Sequence, residues 1–500
     1  MPCDLLISGG RLIDPQHGTD GIVNLGITDG TVSYVGTDVP NARTVIDAAG
    51  KIVAPGFIDL HSHAQNLTGH RLQALDGVTS TLELEAGAAP VAAALDWASQ
   101  RGRPLNFGFS AGWLHSRIIV MEQLTETEVA GLPPLPLDSW AQLQDRTAWR
   151  QPADASQIEQ IIALTERQLD AGALGIGMLL GYCTASTPEE LQAVADLALR
   201  RDVPLFVHAR GGADKGVEEL VAVSRSTGVQ VHLCHFASTN SSTLEASAAI
   251  IEGAQADGVP FTTESYPFGM SATVIGAGFL DPETIRARGG TPDHIIVFES
   301  GEQVASFERL AQLRAEDPGA LVMLRTYDER DPAQVQRLQS ALALPGAAFA
   351  SDSMPVRAVR SAETQFGDIT ELTEWPLPGD QLTVHPRSSS CFTRALTWLH
   401  RDAGVMSLAE VIERSTTVPA QILRRSFPET FGSKGHLGDG ADADVVVFDL
   451  DALNPAGAPT PVRPSEGVAE LLVGGEPVVA GGQLLPDAVP GQALLAVSGN

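Results

Sequence analysis

The sequence predicts an α/β protein built on an eight-stranded (β/α)8 barrel, with a small β-sandwich made from both chain ends and a subdomain inserted between barrel strands 7 and 8. Three observations predict it. The middle of the chain alternates short buried-strand runs with helix-like stretches, eight times over. Several of those runs end in a histidine or a carboxylate, as the catalytic face of such a barrel does. Both chain ends instead read as short strands cut by glycine turns, and chain termini commonly lie near each other.

The elements follow in order. Asp4–Ser8, Gly21–Ile27 and Thr31–Val35 are strand-like, punctuated by Gly9-Gly10, Asp29-Gly30 and Ala49-Gly50. Barrel strands are expected to end at His61/His63, Thr81–Glu85, Asn106–Ser110, Gly175–Met178, Leu205–His208, Gln230–His235, Pro260–Thr263 and Ala347–Asp352. Helical spacing marks Asp154–Ala171, Pro188–Arg200, Gly216–Thr227 and Ser241–Asp257 between them. The stretch Phe279–Gly346 is too long for a crossover and is expected to be an inserted helical subdomain acting as a lid over the barrel mouth. Ala443–Phe448, Val468–Val473 and Pro477–Val479 return to strand character. The expected domains are therefore residues 1–55 with 431–500 as the β-sandwich, and 56–430 as a TIM-like barrel carrying an insertion at about 279–346.

Composition narrows the partners. A net charge of −29 argues against nucleic acid or an anionic membrane, since both need basic surfaces. No run of about 18 apolar residues reads as a transmembrane helix, and the first residues lack the charged and apolar regions of a signal peptide. Cys3, Cys183, Cys234 and Cys391 are scattered without a CxxC spacing, so a reduced, cytoplasmic protein is expected. Lysine occurs only at Lys51, Lys215 and Lys434, none of which ends a central barrel strand.

The chemistry begins at Val53-Ala-Pro-Gly-Phe-Ile-Asp-Leu-His61-Ser-His63. Side chains alternate along a strand, so the two imidazoles share one side at its C-terminal end, an arrangement that suits zinc or a related divalent ion. His208, His235 and Asp352 close further strands in the same way. A lone histidine of this kind is more often a satisfied, partly buried polar group; four histidines and an aspartate at corresponding strand ends point to a shared metal site. His235 is preferred to His232 because it stands at the strand's end, which leaves His232 to pack or to bind behind the ligands.

With these residues the chain resembles the amidohydrolase superfamily, and within it the D-aminoacylase (N-acyl-D-amino-acid deacylase) group. The resemblance is carried by Pro55-Gly-Phe-Ile-Asp59-x-His61-x-His63, Gly172–Gly177, Ala185–Leu191, His208-Ala-Arg210, Tyr266-Pro-Phe268, Ser271-Ala-Thr273, Ser351-Asp352, His385-Pro-Arg387, Phe392-Thr-Arg394 and Ala441–Asp449. It implies a metal-dependent amide hydrolase, acting on non-peptide C–N bonds with one or two divalent ions, zinc first. Many relatives bridge two metals with a carboxylated lysine, which the lysine placement here does not allow. The D-aminoacylase group uses a cysteine after the second strand, where this chain has Ala86. Alternation puts Thr81, Glu83 and Glu85 on one face. Glu85, nearer the catalytic end, is the expected carboxylate ligand with Glu83 as its rival, unless both are hydrogen-bonded within the barrel and histidines alone hold the metal.

The resemblance further implies Asp352 as general base and then acid, Tyr182 beside the scissile carbonyl, and Arg387 as the two-pronged holder of a substrate carboxylate. Arg210 and Arg394 are expected to support from behind. The chain departs from the group at Ala237, where a lysine is frequent, at Gly112-Trp113-Leu-His115, and in the long segment Met354–Thr383. The expected partner is a small carboxylate-bearing N-acyl substrate, with no nucleic acid and no membrane; a homo-oligomer stays open. The alternatives are a related hydrolase of a cyclic amide, imide or isopeptide-like dipeptide, and a non-catalytic relative.

Overall fold

Eight parallel strands form the central sheet, in chain order Phe57–Asp59, Val78–Ala88, Asn106–Gly112, Ile176–Met178, Leu205–Val207, Val231–Leu233, Phe261–Ser265 and Ala348–Phe349. The computed structural model describes residues 3–125, 128–129, 140, 142–210, 213–359 and 372–496. Each strand pairs with its sequence neighbour. The first and eighth meet just past their ends, where Ser62 bridges Ser353 and the His63 amide donates to the Ser353 carbonyl at 2.9 Å. The sheet is thereby a nearly closed barrel. Its strands are buried on both faces, the alternating Thr and Glu residues of the second strand included.

Local chemistry sets the outer helices. Asp154 and Gln157 form a reciprocal capping box at the start of Ala155–Asp170, with both bonds at 2.9 Å. Thr187 caps Pro188–Arg200, which opens on proline and carries Glu189 and Glu190 in its first turn, where the helix dipole favours negative charge.

The insertion after the seventh strand is not the helical subdomain expected. Met270–Val274, Leu321–Arg325 and Ile295–Val297 form a three-stranded antiparallel sheet with its own core of Ile275, Leu280, Ile295, Leu310 and Val322, flanked by the helices Pro282–Ala287 and Phe307–Glu316. The sheet escapes a local reading because Met270–Val274 finds its partner some fifty residues away, and strand preference is settled by the neighbour more than by the segment itself. Of the long segment Met354–Thr383, residues 360–371 lie outside those described.

The two chain ends share one nine-stranded sheet. They meet where Ile52–Pro55 pairs antiparallel with Val445–Phe448, Val53 opposite Val447. The sheet encloses a core of Ile7, Leu12, Leu25, Val53, Val445 and Leu472. Buried Lys434 holds this sheet to the barrel base: its Nζ lies 2.8 Å from both Asp442 and Asp444, and Asp444 also accepts from Asn106 at the start of the third barrel strand at 3.0 Å. The tail then returns beneath the barrel, where the Phe107 amide donates to Gln492 and the Leu494 amide to Phe107. All four cysteines are buried free thiols. Among the described residues no helix is long and apolar enough to cross a membrane.

Candidate metal centre and active site

The C-terminal ends of the barrel strands bring His63, Glu85, His208, His235 and Asp352 to the floor of one cavity of about 640 Å³, a size common for small-molecule sites, with His61 buried against them. His235 and Asp352 sit at positive φ, 36° and 48°, a region costly for residues with a Cβ and concentrated at functional sites. Gly181 makes room for His208, since a Cβ there would stand 2.3 Å from the imidazole Cδ2.

Glu85 is the pivot. Its Oε1 lies 3.0 Å from His208 Nδ1 and 2.7 Å from His235 Nε2. Its Oε2 faces the other pair, 3.2 Å from His61 Nε2 and 3.7 Å from His63 Nε2. Asp352 Oδ1 approaches the same pair at 3.6 and 3.4 Å. The donors thus divide into two triads, His61/His63/Asp352 and Glu85/His208/His235, with one glutamate turned towards both. Glu83, the rival, stands elsewhere: its Oε2 is 2.6 Å from His63 Nδ1, on the ring edge away from the centre.

Whether a metal suits this set can be read from the imidazoles. His61 and His63 each turn Nδ1 to a carboxylate at 2.6 Å, while their Nε2 atoms stand 3.2 Å apart. With the Nδ1 protons held by carboxylates, two Nε2 atoms face each other, which is repulsive unless a proton or a metal ion lies against them. Two nitrogens on one tetrahedral zinc at about 2.0–2.1 Å would be about 3.3 Å apart. The donor set fits a divalent ion.

The electrostatics agree. Burial alone would suppress protonation of His61 and His63, yet the carboxylates outweigh it, Glu85 and Asp352 at His61 and Glu83 at His63, so that His63 is lifted to about 10. Glu85 and Asp352 are held well below the ordinary carboxylate range: burial would raise both, but His61 and His235 at Glu85, and Arg387 with His61 at Asp352, prevail. Such a cluster attracts positive charge.

Arg387 does not stand on the cavity wall. It is fully buried behind Asp352, with Nη2 2.8 Å from Oδ2, Nε donating to the Asp352 carbonyl at 2.6 Å, and the guanidinium 4.5 Å above the Tyr266 ring. Its Nη1 has no hydrogen-bond partner. Tyr182 does line the cavity; its ring packs on His208 at 4.6 Å between centroids, and its hydroxyl is 2.9 Å from Thr273 Oγ1 of the insertion. Arg210 pairs with Glu219, and Arg394 with the Pro267 carbonyl and Glu329, both away from the floor. At Ala237, where the group often has lysine, Tyr327 from the insertion donates to the backbone carbonyl at 2.7 Å.

Sequence reasoning missed Glu264. It ends the seventh strand, fully buried, with Oε1 2.6 Å from His61 Nδ1 and Oε2 3.1 Å from His232 Nε2; burial works against its charge, but His61 and His232 hold it down to about 2. An acid near the C-terminal end of a buried barrel strand was the available signal. His232 takes the place behind the ligands that its position inside the strand suggests, its Nδ1 2.9 Å from Thr262 Oγ1.

Residues 44–110 match the amidohydrolase family. The chain is 28% identical to an N-acyl-D-glutamate deacylase of Alcaligenes xylosoxydans xylosoxydans, covering 98% of this chain and 96% of that protein. It is 26% identical to a D-aminoacylase of the same organism, covering 96% and 95%. The crystal structure of an N-acyl-D-glutamate deacylase from Bordetella bronchiseptica, in complex with zinc and a phosphonate inhibitor, superposes with a TM-score of 0.74 at 24% identity over 99% of this chain and 100% of that one. The amidohydrolase pattern thus covers the start of the barrel, and over nearly its whole length the chain is similar to deacylases. In fold the chain is similar to D-aminoacylase as well, with a TM-score of 0.74 to its crystal structure at 21% identity.

Proposed function

We propose that the protein is a metal-dependent hydrolase of non-peptide C–N bonds that removes the acyl group from N-acyl-D-amino acids. The observation that carries this reading is Glu85, whose two oxygens face two different histidine pairs, with Asp352 across from it on a cavity floor. The relatives of nearly equal length act on such substrates, as their names state.

His61 and His63, with His208, His235 and Glu85, would hold one or two divalent ions, zinc first. Such an ion would supply Lewis acidity towards the scissile carbonyl and water. The chain's own groups do the rest. Asp352, kept ionised by Arg387, accepts the proton of the attacking water and returns it to the departing amine. Tyr182 turns its hydroxyl from Thr273 to the developing oxyanion; burial raises its pKa well above that of an ordinary phenol, so it arrives protonated. Arg387, buried behind Asp352 and off the cavity wall, acts through that carboxylate, holding its Oδ2 at 2.8 Å, and does not itself touch the substrate. Farther out, the cavity wall carries Arg288, His294 and Arg325 from the insertion, while the only acids lining it among the described residues are Glu85 and Asp352. In a chain of charge −29 that wall favours a second anionic group on the substrate.

The test is turnover by the zinc-supplemented protein on N-acyl-D- and N-acyl-L-amino acids with acidic and neutral side chains, beside hydantoins. Release of the amine from D-substrates, led by acidic ones, is expected. Hydrolysis confined to hydantoins would replace this reading by the cyclic-amide one.

A further inference from the structure

Beside the catalytic cavity lies an annexe of about 100 Å³ that the reaction described so far does not use. Trp140, Tyr182, Thr184 and Gly278 line both spaces, so the two meet at the Tyr182 ring. The annexe has the volume of about three waters in the liquid, room for a carboxylate and the methylene before it. Its wall suits negative charge. Arg150 stands in it, 4.8 Å from the centroid of the Trp149 ring, and among the described residues no Asp or Glu lines it. The two hydrogen bonds that Arg150 makes among those residues both run from Nη2 to Gln144, at 2.9 Å to Oε1 and at 3.3 Å to the backbone carbonyl, which leaves Nη1 and Nε for a ligand. Burial lowers the pKa of Arg150 and only the Cys183 thiol opposes it, so the half-buried cation has no carboxylate as counter-charge. Behind the same wall Arg314 of the insertion donates to the Ala277 carbonyl at 2.9 Å, which offsets the partial negative charge that this carbonyl would turn on an anion.

We propose that the annexe is a subsite for the acyl group, and that Arg150 recognises the terminal carboxylate of a short dicarboxylic acyl group, of which succinyl is the model. The inference rests on the deacylase reading and names the acyl class which that reading leaves open. With the acyl oxygen turned to Tyr182, the amino-acid portion faces Arg288, His294 and Arg325, while the acyl tail passes the Tyr182 ring into the annexe. The bond chemistry is unchanged: water adds to the acyl carbon, the C–N bond breaks, the proton passes to the amine, and the products are a free amine and a dicarboxylate. A charge-assisted hydrogen bond from the guanidinium holds the tail, and no ion pair within the protein has to break to form it.

The experiment keeps D-glutamate as the amine and varies the acyl group, comparing kcat/KM of the zinc-supplemented full-length protein on the N-acetyl, N-butyryl and N-succinyl derivatives. Butyryl matches succinyl in chain length and lacks its charge. Expected is a preference of about tenfold for succinyl over butyryl in wild type, lost through KM in Arg150→Leu and partly kept in Arg150→Lys, with N-acetyl turnover within about three-fold throughout because that group is too short to reach the annexe. Equal rates on succinyl and butyryl in wild type would overturn the proposal; so would a folded Arg150→Leu that keeps the preference. Should that variant fail to fold by circular dichroism, Gly278→Leu decides. A Cβ at Gly278 meets nothing within 4 Å, so the leucine side chain enters the mouth of the annexe and the succinyl preference should vanish; its survival refutes the subsite. Absence of hydrolysis on every derivative would remove the deacylase reading and the subsite together, a different result from equal rates.

Discussion

Replacing Asp352 by asparagine removes one charge from the group expected to move the proton, and the surrounding contacts set the size of the effect. The Arg387 guanidinium keeps its bond to the residue-352 carbonyl, which needs no side chain, so the loop keeps its anchor. What is lost is the 2.8 Å ion pair to Oδ2 and the carboxylate beside His61 and His63. A positioned general acid–base contributes about 10²–10⁴-fold, which at 1.36 kcal/mol per decade is about 3–5 kcal/mol of barrier. Breaking a buried pair by neutralising one partner costs a comparable amount of stability, about 3–5 kcal/mol, because Arg387 is left without its counter-charge. Asp352→Asn should therefore be folded but less stable in urea, retain zinc on Glu85, His208 and His235, and hydrolyse at least a hundred-fold more slowly. Initial rates on an N-acyl-D-amino acid, with zinc measured by emission spectroscopy on the same sample, test this. A variant with full zinc and a kcat/KM within ten-fold of wild type would refute the role given to Asp352.

Further expectations can be checked on the same footing. Arg387→Lys should lower kcat by about 10–100-fold if its main duty is holding Asp352, whereas a rise in KM with kcat unchanged would restore it to substrate binding alone. Gly181→Ala sets a methyl against the His208 ring, and should cost the Glu85/His208/His235 half its zinc with little change in circular dichroism; undiminished stoichiometry would contradict the placement. Lys434→Met leaves Asp442 and buried Asp444 uncompensated, and should destabilise the fold by about 3–5 kcal/mol in urea while zinc-loaded, folded protein keeps its activity. Burial would lower the pKa of Lys434, but Asp444 and Asp442 raise it above 10.5, so its stabilising contribution is complete below that value and is lost as pH climbs through the higher folded one; the gap between wild type and variant should close only in strong alkali. Removing the metal with a chelator should abolish turnover and lower the melting temperature, and zinc should restore both.

The amino-acid sequence alone determined the barrel and most of its floor. His61-x-His63, His208, His235 and Asp352 were legible because each closes a short apolar run, and a strand's period of two fixes which way a side chain at its end points. Helix limits such as Pro188–Arg200 were legible for the same local reason: caps and dipole-favoured charges lie within one turn of the end they mark. Tertiary structure decided the remainder. Glu83 and Glu85 share a strand and a face, and only the depth of His63 and His208 in the folded barrel makes one of them a backing group and the other the pivot. Glu264 meets a histidine some two hundred residues earlier in the chain, and the insertion's strands pair across a separation that no periodicity spans. Arg387 carries a family pattern in its sequence, yet its burial behind Asp352 is set by packing against Tyr266. Spacing along the chain reports direction within one element; which charges end up facing each other depends on closing the barrel, an event that joins residues with no local relation.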